Sequence, residues 1–308
     1  MGQQACKQQC CAEDRPQDMR ILGDEYQAAT LAISSTDKEG KTDPTLATYF
    51  EREIAEILTL APGVAKNGVP VKFKTGAVYT GEWRGNQRHG FGTQRWPDGA
   101  VYEGEWKENR AEGKGRFTHS DKDSYIGEWK QSVAHGKGIY YHRDLTTYEG
   151  EWHKDLQDGH GVETWAEGTR FEGTFRNGQK EGFGIYFWPD GSQYMGTWES
   201  NTINGKGAYF GNDGRWYKGT WQDSVIHGIG KYTWPNGREY AGQYSFDRKH
   251  GFGSFTWPDG RKYEGYWAQG RQHGAGISTL KNGSNKHSIW VDGKRQGADG
   301  ENGAPAGN

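Results

Sequence analysis

Five histidines, His89, His135, His227, His250 and His273, stand at multiples of 23 residues just ahead of a Gly-x-Gly, a series with zinc-ligating side chains. Four glutamates, Glu82, Glu105, Glu128 and Glu151, recur at the same interval and carry the groups used in acid–base work. A third set lies at the start, where Gly2 follows Met1 and Cys6, Cys10 and Cys11 come close behind. Its chemistry would be acylation, on the glycine amine and the thiols. The spacing decides between the three. If each 23-residue period is a β-hairpin, equivalent side chains lie roughly 9.6 Å apart, two strand spacings. Zinc needs its nitrogens about 2 Å from the metal, so the histidines read as structural residues of a turn and no metal is expected. The glutamates are too far apart to share a substrate bond and read as a solvated face. GxxxxGK[ST], GxSxG, HExxH and CxxC are all missing, so neither enzyme activity nor a cofactor is expected.

Composition narrows the classes further. The 308 residues include 49 Gly, 14 Trp, 17 Tyr and 12 Phe, with a net charge of −2. Only eight are leucine, too few for a doubly wound α/β core. Disordered chains are poor in aromatics. The near-neutral charge removes the electrostatic case for nucleic acid. No apolar run approaches the roughly 20 residues of a membrane span. All three cysteines lie before residue 12, so the remainder has no disulfide framework, and no secretory h-region follows Met1; the folded part reads as intracellular.

The elements that position these residues are repeats. A first ring recurs as Tyr79, Tyr102, Tyr125, Tyr148, Phe171, Tyr194, Tyr217, Tyr240 and Tyr263, always 23 apart. Four residues later a second ring stands at Trp83, Trp106, Trp129, Trp152, Phe175, Trp198, Trp221, Tyr244 and Trp267, with Gly between the two. Gly-x-Gly follows in all nine units, from Gly90/Gly92 to Gly274/Gly276, and half-units flank the series (Phe73 and Gly76; Trp290 and Gly297). Period-2 alternation over Val78–Arg84 places Tyr79, Gly81 and Trp83 on one strand face. A polar turn over Gly85–His89 is expected next, then a strand bearing Gly90, Gly92 and Trp96 on the ring face, then a Pro97-Asp98-Gly99 exit turn. Glycine weakens a strand unless a neighbouring ring lies across it, so the glycines read as sockets for the rings.

The YxGxW…GxG core and its period resemble the MORN repeat (membrane occupation and recognition nexus) over about residues 71–297. The resemblance implies an all-β fold, an elongated single-layer antiparallel meander of hairpins curved into an open groove. It also implies a scaffold with an extended binding surface rather than a catalytic centre. Family members serve in membrane contacts and axonemal assembly, which suggests cortical or ciliary cytoskeletal organisation. Direct phospholipid binding by the repeats is the alternative, set against a net charge of only +2 over this region.

Two exit turns depart from the pattern. His119, Asp121 and Lys122 in one, His142 and Arg143 in the other, replace the Pro-Asp-Gly arrangement and are candidate partner loops. Residues 43–63 are expected to form an amphipathic capping helix, with Asp43 as N-cap, Pro44 in the first turn, Leu46, Tyr49, Phe50, Ile54, Ile57 and Leu58 facing inward, and Pro62-Gly63 as the stop. A helix for dimerisation is the other reading, so a homodimer stays open. Residues 1–42 read as a flexible tail with an acylation site and residues 298–308 as a disordered tail. Met1-Gly2 partly fits the N-myristoylation pattern, with Cys6 where Ser or Thr is usual. One acyl chain binds membrane only marginally, and no polybasic patch is near, so palmitoylation of Cys6, Cys10 or Cys11 would be the second signal. Together these residues point to a membrane-associated protein-binding scaffold on the cytoplasmic face of a plasma or other cortical membrane, or alternatively in the cytoskeleton of a cilium or flagellum.

Overall fold

The computed structural model describes residues 46–296. It is all-β, with 21 strands in one open antiparallel sheet and a short helical segment before them. The 23-residue period has a simple anatomy. A seven-residue strand (Val78–Arg84), a two-residue turn, a nine-residue strand (Gln87–Arg95) and a five-residue link bring the chain to the next strand at Val101.

The turn is tighter than the sequence implies. Glu108 and Asn109 have φ of 51° and 70°, and Gln131/Ser132 and Lys154/Asp155 repeat the pair. Two consecutive positive φ values make a type I′ hairpin turn, whose twist matches that of the strands it joins. The histidines before Gly-x-Gly therefore lie in strands, His89 within Gln87–Arg95, and not in the turn expected for them.

The nine-residue strand outlasts its seven-residue partner because it bulges. Gly81 pairs with Gly92, yet Glu82 pairs with His89, so Gly90 and Phe91 are looped out of the register. Gly90 takes φ +60°, the left-handed conformation of a glycine bulge. A Cβ on Gly90 would strike the Glu82 carboxylate, on the face away from the rings. The first glycine of each Gly-x-Gly is thus a bulge residue, which corrects the socket reading for half of the pair. The second glycine is a true socket. A Cβ on Gly92 would lie 2.4 Å from the Tyr79 hydroxyl oxygen and 2.6 Å from its Cζ.

The described residues divide into two compact units, one with residues 46–189 and 199–201, the other with 190–198 and 202–296. In the first unit the ring face is closed at its beginning by the N-terminal helix. This is not one helix over 43–63 but two short pieces, Leu46–Glu51 and Ile54–Leu58, broken around Glu53, whose side chain is fully buried. Phe50 and Ile57 are fully buried, whereas Leu58, expected to face inward, is 63% exposed. In the second unit the same hairpins continue from Gln193–Glu199 to Lys294–Arg295 with the same bulge, seen where Gly219 and Trp221 shift register against Gly230 and Ile226.

Candidate functional site

The ring face is the feature that the repeats build in every unit. Each first-ring tyrosine lies across its own glycine and the socket glycine of the next strand, and its hydroxyl donates to the main-chain carbonyl three residues on. The Oη–O distances are 2.8 Å for Tyr79 to Glu82 and 2.9 Å for Tyr102 to Glu105. Burial pushes the phenol pKa of Tyr79, Tyr102, Tyr125 and Tyr148 well above the ordinary value, so these rings stay neutral donors. Most second rings meet the first rings of two successive repeats edge-on. Trp106 lies 5.0 Å from Tyr102 and 5.4 Å from Tyr79, and Trp129 lies 5.2 Å from Tyr125 and 5.3 Å from Tyr102. Such pairs are worth about 0.5–1.5 kcal/mol each beyond their buried area. Trp106, Trp129, Trp152 and Trp267 also donate Nε1–H to a socket-glycine carbonyl of the preceding repeat, at 3.0–3.2 Å. All eighteen rings of the two series are buried, so they form the core of the sheet rather than its free surface.

What remains on the ring face is decided by two further positions of the nine-residue strand. One holds Arg88, Ala111, Ala134, Gln157 and Lys180 in the first compact unit, the other Gln94, Phe117, Tyr140, Glu163 and Tyr186. In the first repeat these are polar and hold the helix. Arg88 donates to the Phe50 carbonyl at 2.8 Å and to Gln94, and Gln94 Nε2 donates to Glu53 Oε2 at 2.8 Å. Phe50 sits among Trp96, Tyr102, Trp106, Phe117 and Trp129, with centroid distances of 5.1–5.9 Å. Burial pulls Arg88 down to about 10, but Glu53 opposes the shift and the group remains a cation. In the fourth and fifth repeats the polar residues return: Lys180 Nζ lies 2.6 Å from Glu163 Oε2, both buried, with the Trp165, Phe171 and Phe175 rings 4.9–5.7 Å from the ammonium.

The outer face is organised by the glutamate series. Glu82, Glu105 and Glu151 fold their carboxylates over the bulge glycine and accept the main-chain N–H of Phe91, Lys114 and His160. The carboxylates therefore brace the bulges and are engaged rather than merely solvated. Thr220 does the same with its hydroxyl, accepting from Ile229 N–H at 2.9 Å. His135 lies 5.1 Å from His153, and no group of three metal-ligating side chains occurs among the described residues.

The two departing turns are held in place. Asp123, only 3% exposed, accepts from the Tyr140 hydroxyl at 2.7 Å and from Arg143 N–H at 3.0 Å, and lies 3.4 Å from His142 Nε2. His119 is 7% exposed and packs edge-on against Phe117 at 4.6 Å. Asp121 accepts from Asp123 N–H, so the turn keeps the side-chain closure of Asp98 in the regular turn. Lys122 occupies the glycine position at φ 83°. Gly2, Cys6, Cys10 and Cys11 lie outside the described residues.

A set of contacts that sequence reading missed stitches neighbouring hairpins. The second turn residue accepts a main-chain N–H from the previous repeat: Asn109 from Arg88 at 2.9 Å, Ser132 from Ala111 at 3.2 Å, Asp155 from Ala134 at 2.6 Å and Asn201 from Lys180 at 2.8 Å. The signal was a small polar residue at a fixed place in each turn, legible only once the turn was known to be two residues long.

The MORN repeat family profile matches nine consecutive segments between residues 79 and 285, about two thirds of the chain. No curated protein is significantly similar in sequence. Among solved structures, the TCP10 domain of Danio rerio CPAP is 15% identical with a TM-score of 0.37, covering 63% of this chain and 91% of that one. The CPAP G-box domain is 14% identical with a TM-score of 0.36 over 66% of this chain and 100% of that one. The Drosophila melanogaster SAS-4 TCP domain, solved with a proline-rich motif of Ana2, is 12% identical with a TM-score of 0.27 over 74% and 95%. Scores this low carry no functional argument.

Proposed function

Because the chain belongs to the MORN repeat family, we propose that it is a non-enzymatic scaffold that binds protein segments on the ring face of its repeats and is held at a membrane by acyl chains. The observation that carries the first half is the docked helix. The ring face of the first repeats takes a helical segment through one aromatic anchor, Phe50, and a buried polar chain of Arg88, Gln94 and Glu53. A face that captures a helix in this way has the chemistry to capture a partner's helix or peptide. The second half rests on Gly2 with Cys6, Cys10 and Cys11, which offer one myristoylation and three palmitoylation positions. The setting proposed is the cytoplasmic face of a plasma or cortical membrane, in cortical or ciliary cytoskeletal organisation.

Membrane fractionation of wild type, Gly2→Ala and the Cys6/Cys10/Cys11→Ser triple variant tests the anchor. Wild type is expected in the membrane fraction and both variants in the soluble one. Retention of both variants on membranes overturns the acyl reading. Binding of bacterially expressed, unacylated protein to vesicles containing phosphatidylinositol phosphates would instead favour lipid recognition by the repeats themselves.

A further inference from the structure

The outer face of the second compact unit, away from the rings, carries a contiguous apolar row. Between the strands Val225–Thr233 and Asn285–Val291, Ile229, Phe252, Tyr266 and Ile289 are 67%, 54%, 54% and 61% exposed. Register makes them neighbours. Ile229 pairs with Gln243, whose side chain accepts from Phe252 N–H at 2.8 Å. Phe252 pairs with Tyr266 and packs edge-on against it at 5.7 Å, and the small Ala275 pairs with Ile289. Single exposed apolar side chains are ordinary, whereas a contiguous set marks a binding surface. At the equivalent positions of the first unit the chain instead alternates in charge, with Glu105, Lys114, Glu128, Lys137 and Glu151.

The row also gives up a structural role. Glu82 and Glu105 brace the bulges with a side-chain acceptor, and Thr220 and Gln243 still do so. Tyr266 lays its ring over the bulge at Gly274 instead, and Ile289 has no acceptor to offer. Both exchange a bracing hydrogen bond for exposed apolar surface, a loss to the isolated chain that a bound partner offsets.

Area, length and charge define the occupant. The four side chains expose on the order of 400 Å², about half of what each partner of a standard protein interface contributes, so a second copy laid face to face is undersupplied. Ile229 and Ile289 are five strand spacings apart, about 24 Å, the length of a helix of about 16 residues. The helical pitch of about 5.4 Å is close to the strand spacing of about 4.8 Å, so an amphipathic helix crossing the strands sets about one apolar side chain over each. Lys206, Lys218 and Lys231 stand on three successive strands at the Ile229 end, with Lys218 directly opposite Lys231. Like charges so placed are destabilising. The strand glutamates of this face are already paired, Glu239 with Lys231 at 3.0 Å and Glu264 with Lys262 at 2.8 Å. Lys206 and Lys218 make no ion pair among the described residues.

We infer that the outer face of the second unit binds one amphipathic helix of a partner protein, with its apolar stripe on Ile229, Phe252, Tyr266 and Ile289 and its acidic end over Lys206 and Lys218. This surface is separate from the ring face of the scaffold reading and independent of acylation.

The test selects random peptides of about 18 residues, displayed on phage, against the bacterially expressed full chain, and measures the enriched sequences as synthetic peptides by fluorescence anisotropy. The expected peptides carry apolar residues at helical spacing with Asp or Glu grouped at one end. Their Kd should rise at least about tenfold in the double variant Phe252→Ser/Ile289→Ser and about fivefold in Lys218→Glu, which leaves the apolar row intact. Thermal unfolding of both variants checks the fold, and Lys218→Glu decides should the double variant fail to fold. Enriched peptides that ignore these changes, peptides without helical spacing or acidic residues, or no enrichment at all would overturn the inference while leaving binding on the ring face untouched. A dimer in sedimentation velocity that dissociates in the double variant would overturn it in favour of a second copy.

Discussion

Replacing Asp155 by Asn separates the hydrogen bond that joins two hairpins from the charge that accompanies it. Asp155 is the second residue of a type I′ turn and accepts Ala134 N–H at 2.6 Å. Burial raises its pKa to about 6, and the single main-chain donor only partly offsets that desolvation. A carboxyl raised in the folded state takes up its proton in the native protein at a higher pH than in the unfolded chain. Stability is therefore lost as pH rises through the window from about 4 to about 6. A shift of about two units corresponds to about 3 kcal/mol, and the partial exposure of the side chain reduces the expected cost to about 1–2 kcal/mol. Asn keeps the acceptor oxygen without the charge, and Asn109 and Asn201 already occupy equivalent turn positions with bonds of 2.9 and 2.8 Å. Urea unfolding of wild type and Asp155→Asn at pH 4, 5.5 and 7.5 is the assay. The variant is expected to match wild type at pH 4 and exceed it by about 1–2 kcal/mol at pH 7.5. A difference that does not change with pH, or a variant less stable at pH 7.5, would refute the reasoning.

Other outcomes follow from the same geometry. Leu145 holds φ 73° in an exit turn where the regular repeats have glycine, and its side chain is 74% exposed, so Leu145→Gly should raise stability by about 1 kcal/mol in thermal unfolding. Gly92→Ala places a methyl against the Tyr79 ring and should cost about 3 kcal/mol or more, whereas Gly99→Ala, with open space but φ 92°, should cost about 1 kcal/mol. Similar costs for the two would contradict the socket. Phe50→Ala removes the anchor of the docked helix, at about 3–5 kcal/mol for a buried aromatic. Limited proteolysis should then cut within residues 51–60 while the repeats stay intact, and unchanged cleavage there would show that Phe50 does not hold the helix.

How much of this was legible in the sequence depended on whether a residue's role was local to its repeat. Tyr79, Gly81, Trp83 and Gly92 could be placed because strand alternation and the 23-residue period put ring and socket on one face, and the contacts between them lie within a single hairpin or its neighbour. Gly90 could not, because a bulge breaks the alternation that carried the argument, and nothing in Gly-x-Gly tells a residue at φ 60° from one in extended backbone. The bulge also shortened the expected turn, which hid the stitching role of Asp155 and moved the histidines from turn to strand. Asp123 is hidden for a related reason: it lies in a turn that departs from the repeat, yet it binds that turn to Tyr140 of the following strand and to Arg143 beyond it.

The ring face shows why the binding chemistry was the least legible part. Its eighteen repeated rings are common to every unit and are used up as core, so they cannot distinguish one place on the face from another. The distinguishing residues are those that break the pattern, among them Arg88, Gln94, Gln157, Glu163 and Lys180 in the first unit and Lys249 in the second, each unremarkable in a chain one quarter charged. Burying such a group costs free energy unless a partner satisfies it, and apolar alternatives fit the same positions in neighbouring repeats, as Ala111, Phe117 and Ala134 show. Arg88 and Gln94 hydrogen-bond the docked helix, and Glu163 and Lys180 pair with each other.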